Sequence, residues 1–321
     1  MAKARTLNVL IIHGIGWGDS GKDYARPLQN HIQQEFERAL TRLHLRDINQ
    51  RDASGKRALR FEAVYWSPVT QDPENALLDL LGFGGFRPFR RFNLTYVARR
   101  QMVGLLGDVI AYEYGPDRRV YTAIHRRVDD CIDKLSDASA DERDDAGYAP
   151  LTVIGHSLGS VIASDFVWDH TRDAPQPHYL TDHHLALKNM ILMGSPVALY
   201  ALRDNPSEDK EKLAASLDSP VQVDPEGGLW LNLVDPQDPI AFPLQPIRSY
   251  DRAGVIDCQV RAGSWLTTWN PASHVGYWRS AEVAELIGHK LALDWAALNS
   301  PRFAERYLAT VEKFRADLRE R

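Results

Sequence analysis

An α/β fold, with a mostly parallel central sheet and helices on both faces, is predicted by two features of this 321-residue sequence. Short apolar runs bounded by Gly, Pro or Asp recur along the chain, and between them lie longer stretches with apolar residues at helical spacing. A short run that is apolar throughout suits a strand buried on both faces. Two helical layers around a parallel sheet require such strands.

The runs are Leu7–Ile12, Arg60–Tyr65, Leu151–Ile154, Asn189–Met193, Leu229–Val234 and Cys258–Trp265. Helical spacing is clearest at Leu28, Ile32, Phe36, Leu40 and Leu43, again at Val120, Ile124, Val128, Ile132 and Leu135, and finally at Phe303, Tyr307, Val311, Phe314 and Leu318. The stretch 67–119 breaks the alternation because it is longer than an ordinary connection and carries the Gly/Phe/Arg-rich segment Gly82 to Phe92. It reads as a cap-like insertion in a single domain spanning 1–321. Asp137–Asp145 and Asp204–Lys212 read as solvated polar loops.

Composition narrows the classes of function. Hydrophobic residues make up 44% of the chain, enough for a sizeable core, and a net charge of -5 with both signs scattered offers no basic stripe for nucleic acid. No stretch reaches the roughly 18 apolar residues of a membrane span, and Leu7–Ile12 is too short for the core of a secretory signal, so the expectation is a soluble cytoplasmic chain. The two cysteines, Cys131 and Cys258, lie in no Cys-x-x-Cys or Cys/His cluster, so they read as small buried hydrophobes with no disulfide or metal role.

The chemistry is concentrated at Gly155-His156-Ser157-Leu158-Gly159, where the β-branched run Leu151–Ile154 leads into a Gly-x-Ser-x-Gly and then a helix-like segment. Chance supplies the bare pentapeptide in about one chain in ten of this length, so the context carries the weight. A serine on a strained strand-to-helix turn projects its hydroxyl from the sheet, and the flanking glycines admit the neighbouring backbone. Ser157 is the candidate nucleophile. Leu158, next in the chain, offers its backbone N–H at a helix N-terminus. His13-Gly14-Ile15-Gly16, after the first run, is the second element: it leaves the same edge of the sheet, and the N–H of Ile15 is the candidate to pair with that of Leu158 as an oxyanion hole. His13 itself reads as structural.

Of the eleven histidines, His274 alone lies after a late strand in a Gly/Ser/Pro/aromatic loop, which makes it the candidate base. His183 and His184 fall at the opposite edge and read as surface residues. For the acid, Asp235 and Asp238 compete after Leu229–Val234: Asp235 ends the strand and suits a turn cap, whereas Asp238 follows the turn and can point toward His274. Asp238 is preferred, and Asp204 is a distant third. Ser195 in Gly194-Ser195-Pro196 reads as a turn residue lining the pocket. Trp66, Trp265, Trp269 and Trp278 fall near the converging strand ends, with core packing as their main use.

The order Ser157, Asp238, His274 with the upstream His-Gly turn resembles the α/β-hydrolase superfamily, and Gly107-Asp108-Val109-Ile110-Ala111-Tyr112, Met193-Gly194-Ser195-Pro196, Asp238-Pro239-Ile240-Ala241 and Ser273-His274-Val275-Gly276-Tyr277-Trp278 resemble segments of bacterial lipases and serine esterases. The resemblance implies hydrolysis of a small-molecule or lipid carboxylic ester through an acyl-enzyme on Ser157, without metal or organic cofactor. The same triad serves phospholipases, thioesterases and acyltransferases, and the fold also occurs in binding proteins without catalysis. In the insertion, Phe83, Phe86, Phe89 and Phe92 alternate with Arg87, Arg90 and Arg91, as in a lid that touches a lipid interface transiently, or as in a segment packed on the main domain with solvated arginines.

Overall fold

The structure is a computed structural model that describes residues 4–14, 23–45, 58–80, 107–112, 118–200, 221–263 and 272–321. Its centre is an open, mostly parallel sheet of seven strands: β1 (Leu7–Ile12), β2 (Leu59–Val64), β3 (Ala149–His156), β4 (Tyr179–Leu180), β5 (Leu185–Met193), β6 (Leu229–Val234) and β7 (Ile256–Gln259). The order across the sheet is β2-β1-β3-β5-β6-β7, every pair parallel, while the two-residue β4 pairs antiparallel with the start of β5. Helices α1 (Arg26–Arg42), α2 (Pro68–Leu80), α3 (Arg119–Ala138), α4 (Leu158–Thr171), α5 (Arg248–Arg252), α6 (Ala272–Val275), α7 (Ala281–Asn299) and α8 (Pro301–Arg319) connect or cover the strands.

The apolar character of the central strands has a direct structural cause. Alternate residues of a strand point to opposite faces, and here both faces are covered. Val9 and Ile11 of β1 pack in the core shared with α1, α7 and α8, around Phe36, Ile287, Leu291, Trp295 and Val311. Leu10 and Ile12 pack in the other core, shared with α3 and α4, around Ile124, Val128, Ile132, Ile162 and Phe166. Every residue of β1 is therefore buried. The sequence-derived runs find β1 and β6 with their full bounds, whereas β3 and β5 begin earlier, at Ala149 and Leu185. The last run is cut short: β7 ends at Gln259, and the N–H groups of Ala262 and Gly263 bond to the Asp235 carboxylate at 2.8 and 3.1 Å, turning the chain out of the sheet.

Two polar readings need correction. In the segment expected as a solvated loop, Glu142 is buried; it accepts from the Thr6 backbone N–H at 3.1 Å and lies 3.5 Å from the Arg60 guanidinium, fastening the approach to β1. Its charged partners come from β2 and the chain before β1, contacts that local polarity could not reveal. His184 is exposed as expected, but His183 is buried, its Nδ1 2.9 Å from Asp133 on α3. Both cysteines are buried, and neither is in a disulfide. Helix α2 forms the start of the 67–119 stretch; its Phe/Arg-rich part, with Phe83, Phe86, Phe89, Phe92, Arg87, Arg90 and Arg91, lies outside the described residues, as do Asp204–Lys212, Trp265 and Trp269. Among the described residues no helix is long and apolar enough to cross a membrane.

A buried ionic network ties α7 and α8 to the sheet. Lys290 is enclosed within α7 and reaches Asp294 one turn on at 2.5 Å; Asp294 also accepts from Tyr307 of α8 at 2.5 Å and from Asn189 of β5 at 2.8 Å. Burial pulls the Lys290 ammonium down to about 8, against the opposing pull of Asp294. The unfolded chain therefore binds more protons than the folded one between about pH 8 and the ordinary lysine range, and this site adds stability as pH rises through that window. Urea denaturation from pH 7.5 to 9.5 is expected to show this rise in the wild type, and the Lys290→Met variant is expected to lack it.

Candidate active site

The sheet order places the site. From β1 the chain runs by α1 to β2 on one side, whereas from β3 it runs by α4 to β5 on the other, so the connections diverge between β1 and β3. At such a switch point a crevice opens beyond the carboxyl ends of the strands. Ile12 pairs with Gly155 and His156 with Met193, so the residues that follow β1, β3 and β5 emerge at one level.

Ser157 sits between β3 and α4 with φ 54° and ψ −130°, a strained conformation for a residue with a side chain. It is over-determined by its surroundings. Its N–H donates to the Met193 carbonyl at 3.0 Å, and its own carbonyl accepts from the Ser160 N–H at 2.9 Å and the Ser160 hydroxyl at 2.6 Å. Ser160 in turn bonds Ser195 at 2.7 Å, and Ser195 also accepts from the Val197 N–H at 3.2 Å. Ser195 is thus fully enclosed and acts as a turn brace. Leu158 opens α4, where first-turn N–H groups lack intrahelical acceptors.

The turn after β1 presses directly against Ser157. A Cβ on Gly14 would lie 2.4 Å from the Ser157 Cβ and 3.0 Å from its Oγ, and one on Gly159 would meet the His13 and Ile12 carbonyl oxygens at 2.4 Å. Only glycine permits these approaches. His13 is structural, as its sequence position suggests: its ring stacks on Trp66 with centroids 5.0 Å apart, Nδ1 bonds the Gly14 carbonyl, and the Trp66 indole N–H donates to the His13 carbonyl at 2.9 Å. Ile15 lies outside the described residues.

After β6 the two aspartates take different tasks. Asp235 accepts from the backbone N–H groups of Gln237, Ala262 and Gly263, a turn-capping role. Asp238 accepts from the Ile240 N–H at 3.0 Å with one oxygen and from His274 Nδ1 at 2.8 Å with the other. The Asp238 side chain is 0% exposed and that of His274 10%. With Nδ1–H donating to the carboxylate, Nε2 is left as the acceptor nitrogen, and among the described residues this buried atom has no hydrogen-bond partner. Gly194, at φ +56°, makes room for the pair: a Cβ there would lie 2.9 Å from Asp238 Oδ2 and 3.2 Å from His274 Cε1. The Tyr277 hydroxyl accepts from the Asp235 N–H at 2.8 Å, and burial, with Asp238 alongside, pushes its phenol well above the usual range.

The structure therefore brings Asp238 and His274 into contact and holds Ser157 against the His13-Gly14 turn. Ser157 makes no hydrogen bond to His274. His156, to which the sequence assigns no role, provides the link. Its Nε2–H donates to the His274 backbone carbonyl at 2.7 Å, and its Nδ1 accepts from the Trp278 indole N–H at 3.2 Å. Acceptance at Nδ1 needs the neutral ring, and burial, followed by the proximity of His274, holds its pKa well below the usual value. Only its place beside Ser157 hints at this task. No protein family model matches the chain, and no curated protein matches it.

Two enclosed histidines make this region acid-sensitive. His13 is lowered to about 4 by burial, opposed by its bond to Gly14, and burial also holds His156 well below its usual value. A group whose folded pKa is depressed contributes its full stability above its unfolded pKa, near 6.5, and loses it as pH falls toward the folded value. Stability is therefore expected to drop between pH 6.5 and 4, and a His13→Phe variant should show a shallower drop in thermal melts across that range.

Proposed function

We propose that this chain is a serine hydrolase of the α/β-hydrolase type that cleaves carboxylic esters through an acyl-enzyme on Ser157. The observation that carries this reading is the buried Asp238–His274 pair, whose free Nε2 lies at the sheet edge where Ser157 is held in a strained turn. A buried imidazole aligned by a carboxylate, with an unprotonated nitrogen left over, is the arrangement a general base needs.

In this reading His274 Nε2 takes the Ser157 hydroxyl proton as the serine oxygen attacks the ester carbonyl. The tetrahedral oxyanion is met by the N–H of Leu158 at the start of α4 and by that of Ile15. The imidazolium then returns its proton to the departing alkoxide, leaving an acyl-serine and a free alcohol. Water, deprotonated by the same nitrogen, releases the acid and restores Ser157. Asp238 keeps the Nδ1 proton in place and stabilises the imidazolium without being protonated. The chemistry requires neither metal nor organic cofactor. An ester of a small molecule or a lipid is the substrate class.

Labelling by a fluorophosphonate probe is expected in the wild type and lost in Ser157→Ala; absence of labelling in a folded wild type would overturn the reading in favour of a non-catalytic binding protein. Asp238→Asn should lower turnover of p-nitrophenyl esters by about 10⁴-fold, as in other triads. Asp235→Asn should instead depress the melting temperature, because it weakens the cap on Ala262 and Gly263. His156→Phe removes the bond to the His274 carbonyl and should reduce kcat by about 10²-fold with little change in KM, the signature of a misplaced base.

A further inference from the structure

At the opposite end of α4, about 20 Å from Ser157 by helix rise, three side chains converge. His170 comes from the last turn of α4, His183 from the 3₁₀ turn Thr181–His183 before β5, and Asp129 from the middle of α3. One ligand atom from each lies within 4.8 Å of the others. We propose that this cluster is a structural zinc site, with His170 Nε2, His183 Nε2 and Asp129 Oδ1 as protein ligands and water in the fourth position.

Three observations support it. Both imidazoles have their other nitrogen engaged: His170 Nδ1–H donates to the Phe166 carbonyl at 2.8 Å, and His183 Nδ1–H donates to the Asp133 carboxylate at 2.9 Å. This fixes the tautomer whose Nε2 carries the lone pair, by the backbone and carboxylate contacts that orient metal-binding histidines. His183 Nε2 is also buried and, among the described residues, without a hydrogen-bond partner, on a side chain only 10% exposed. The spacing is the third. Asp129 Oδ1 stands 3.5 Å from His170 Nε2 and 3.4 Å from His183 Nε2. Charge-assisted hydrogen bonds run about 2.7–2.9 Å, whereas the edges of a tetrahedron with zinc–ligand bonds near 2.0 Å are about 3.3 Å. The gaps suit a shared ion better than two protonated imidazoles gripping one carboxylate.

The rest of the surroundings agrees. Ser136 on α3 donates to the His183 carbonyl at 2.5 Å, so the turn that carries this ligand is held by α3 independently of its ring. The Phe166 ring stacks on His170 at 4.1 Å and walls one side. Asp129, at 37% side-chain exposure, leaves an entry path for the ion and room for water. Against the effect of burial, Asp129 raises both imidazoles above their usual range, so zinc would displace their protons; with the ion bound, two neutral imidazoles and the carboxylates of Asp129 and Asp133 carry a charge of about −2, which a dication neutralises, and nitrogen ligands select zinc over magnesium or calcium. A bound ion would join α3, α4 and the entrance to β5 in one clasp.

The test is a zinc titration of the chelator-stripped full chain by calorimetry, with magnesium and calcium as controls and elemental analysis for stoichiometry. One zinc per chain, a raised melting temperature and a tetrahedral cobalt spectrum are expected in the wild type and in Ser157→Ala. His170→Gln with His183→Gln should abolish binding, and Asp133→Asn, which alters only the support of His183, should weaken it by about 10–100-fold. Circular dichroism checks each variant for folding. Stoichiometric zinc surviving in the folded double variant, or no zinc in the wild type, overturns the proposal; should the double variant not fold, unchanged affinity in Asp133→Asn overturns it equally.

Discussion

The close approach between the exits of β1 and β3 is the constraint on which the candidate site depends. Gly14 lies against Ser157 and Gly159 against the carbonyls of Ile12 and His13, so that the two turns occupy space that a single methyl group would fill. Parallel pairing of β1 with β3 sets this distance, and pairing of β3 with β5 sets the level of Met193, whose carbonyl takes the Ser157 N–H. The strained turn persists because strands buried on both faces cannot shift to relieve it.

A second layer of polar side chains then transmits this rigidity. Trp66 and Trp278 are core residues by burial, yet each donates its indole N–H at the site, one to the His13 carbonyl and the other to His156. His156 passes the constraint from the end of β3 to the backbone of His274. Asp235, by holding Ala262 and Gly263, ends β7 and turns the chain away from the sheet on its way to His274. His13, His156, Asp235 and Asp238 each have a partner, whereas His274 Nε2 has none among the described residues.

The two ends of α4 divide the labour. Its N-terminus presents Ser157 and Leu158 at the edge of the candidate site, and its C-terminus carries His170 into a cluster that links α3 to the start of β5. Histidines at the two edges are thereby distinguished by their partners: His274 faces one buried carboxylate and keeps Nε2 free, whereas His183 faces Asp133 and Asp129 together.

Much of the fold was legible in the sequence, because parallel strands between two helical layers must be apolar throughout and helices must show their period; β1 and β6 emerge with their full bounds. The Gly-x-Ser-x-Gly context and the placing of His274 were legible for a similar reason, since a turn at a strand end leaves a local pattern. The choice between Asp235 and Asp238 was legible only as a preference for Asp238. It depends on which carboxylate reaches an imidazole 36 residues later, a distance that no spacing encodes. Nor could local polarity show that Glu142 and His183 are buried, since their partners come from other elements. Local chemistry determined which elements form and where their turns fall. Tertiary packing alone decided which polar groups meet, because burial and pairing of a charge are properties of the assembled layers and not of the chain around it.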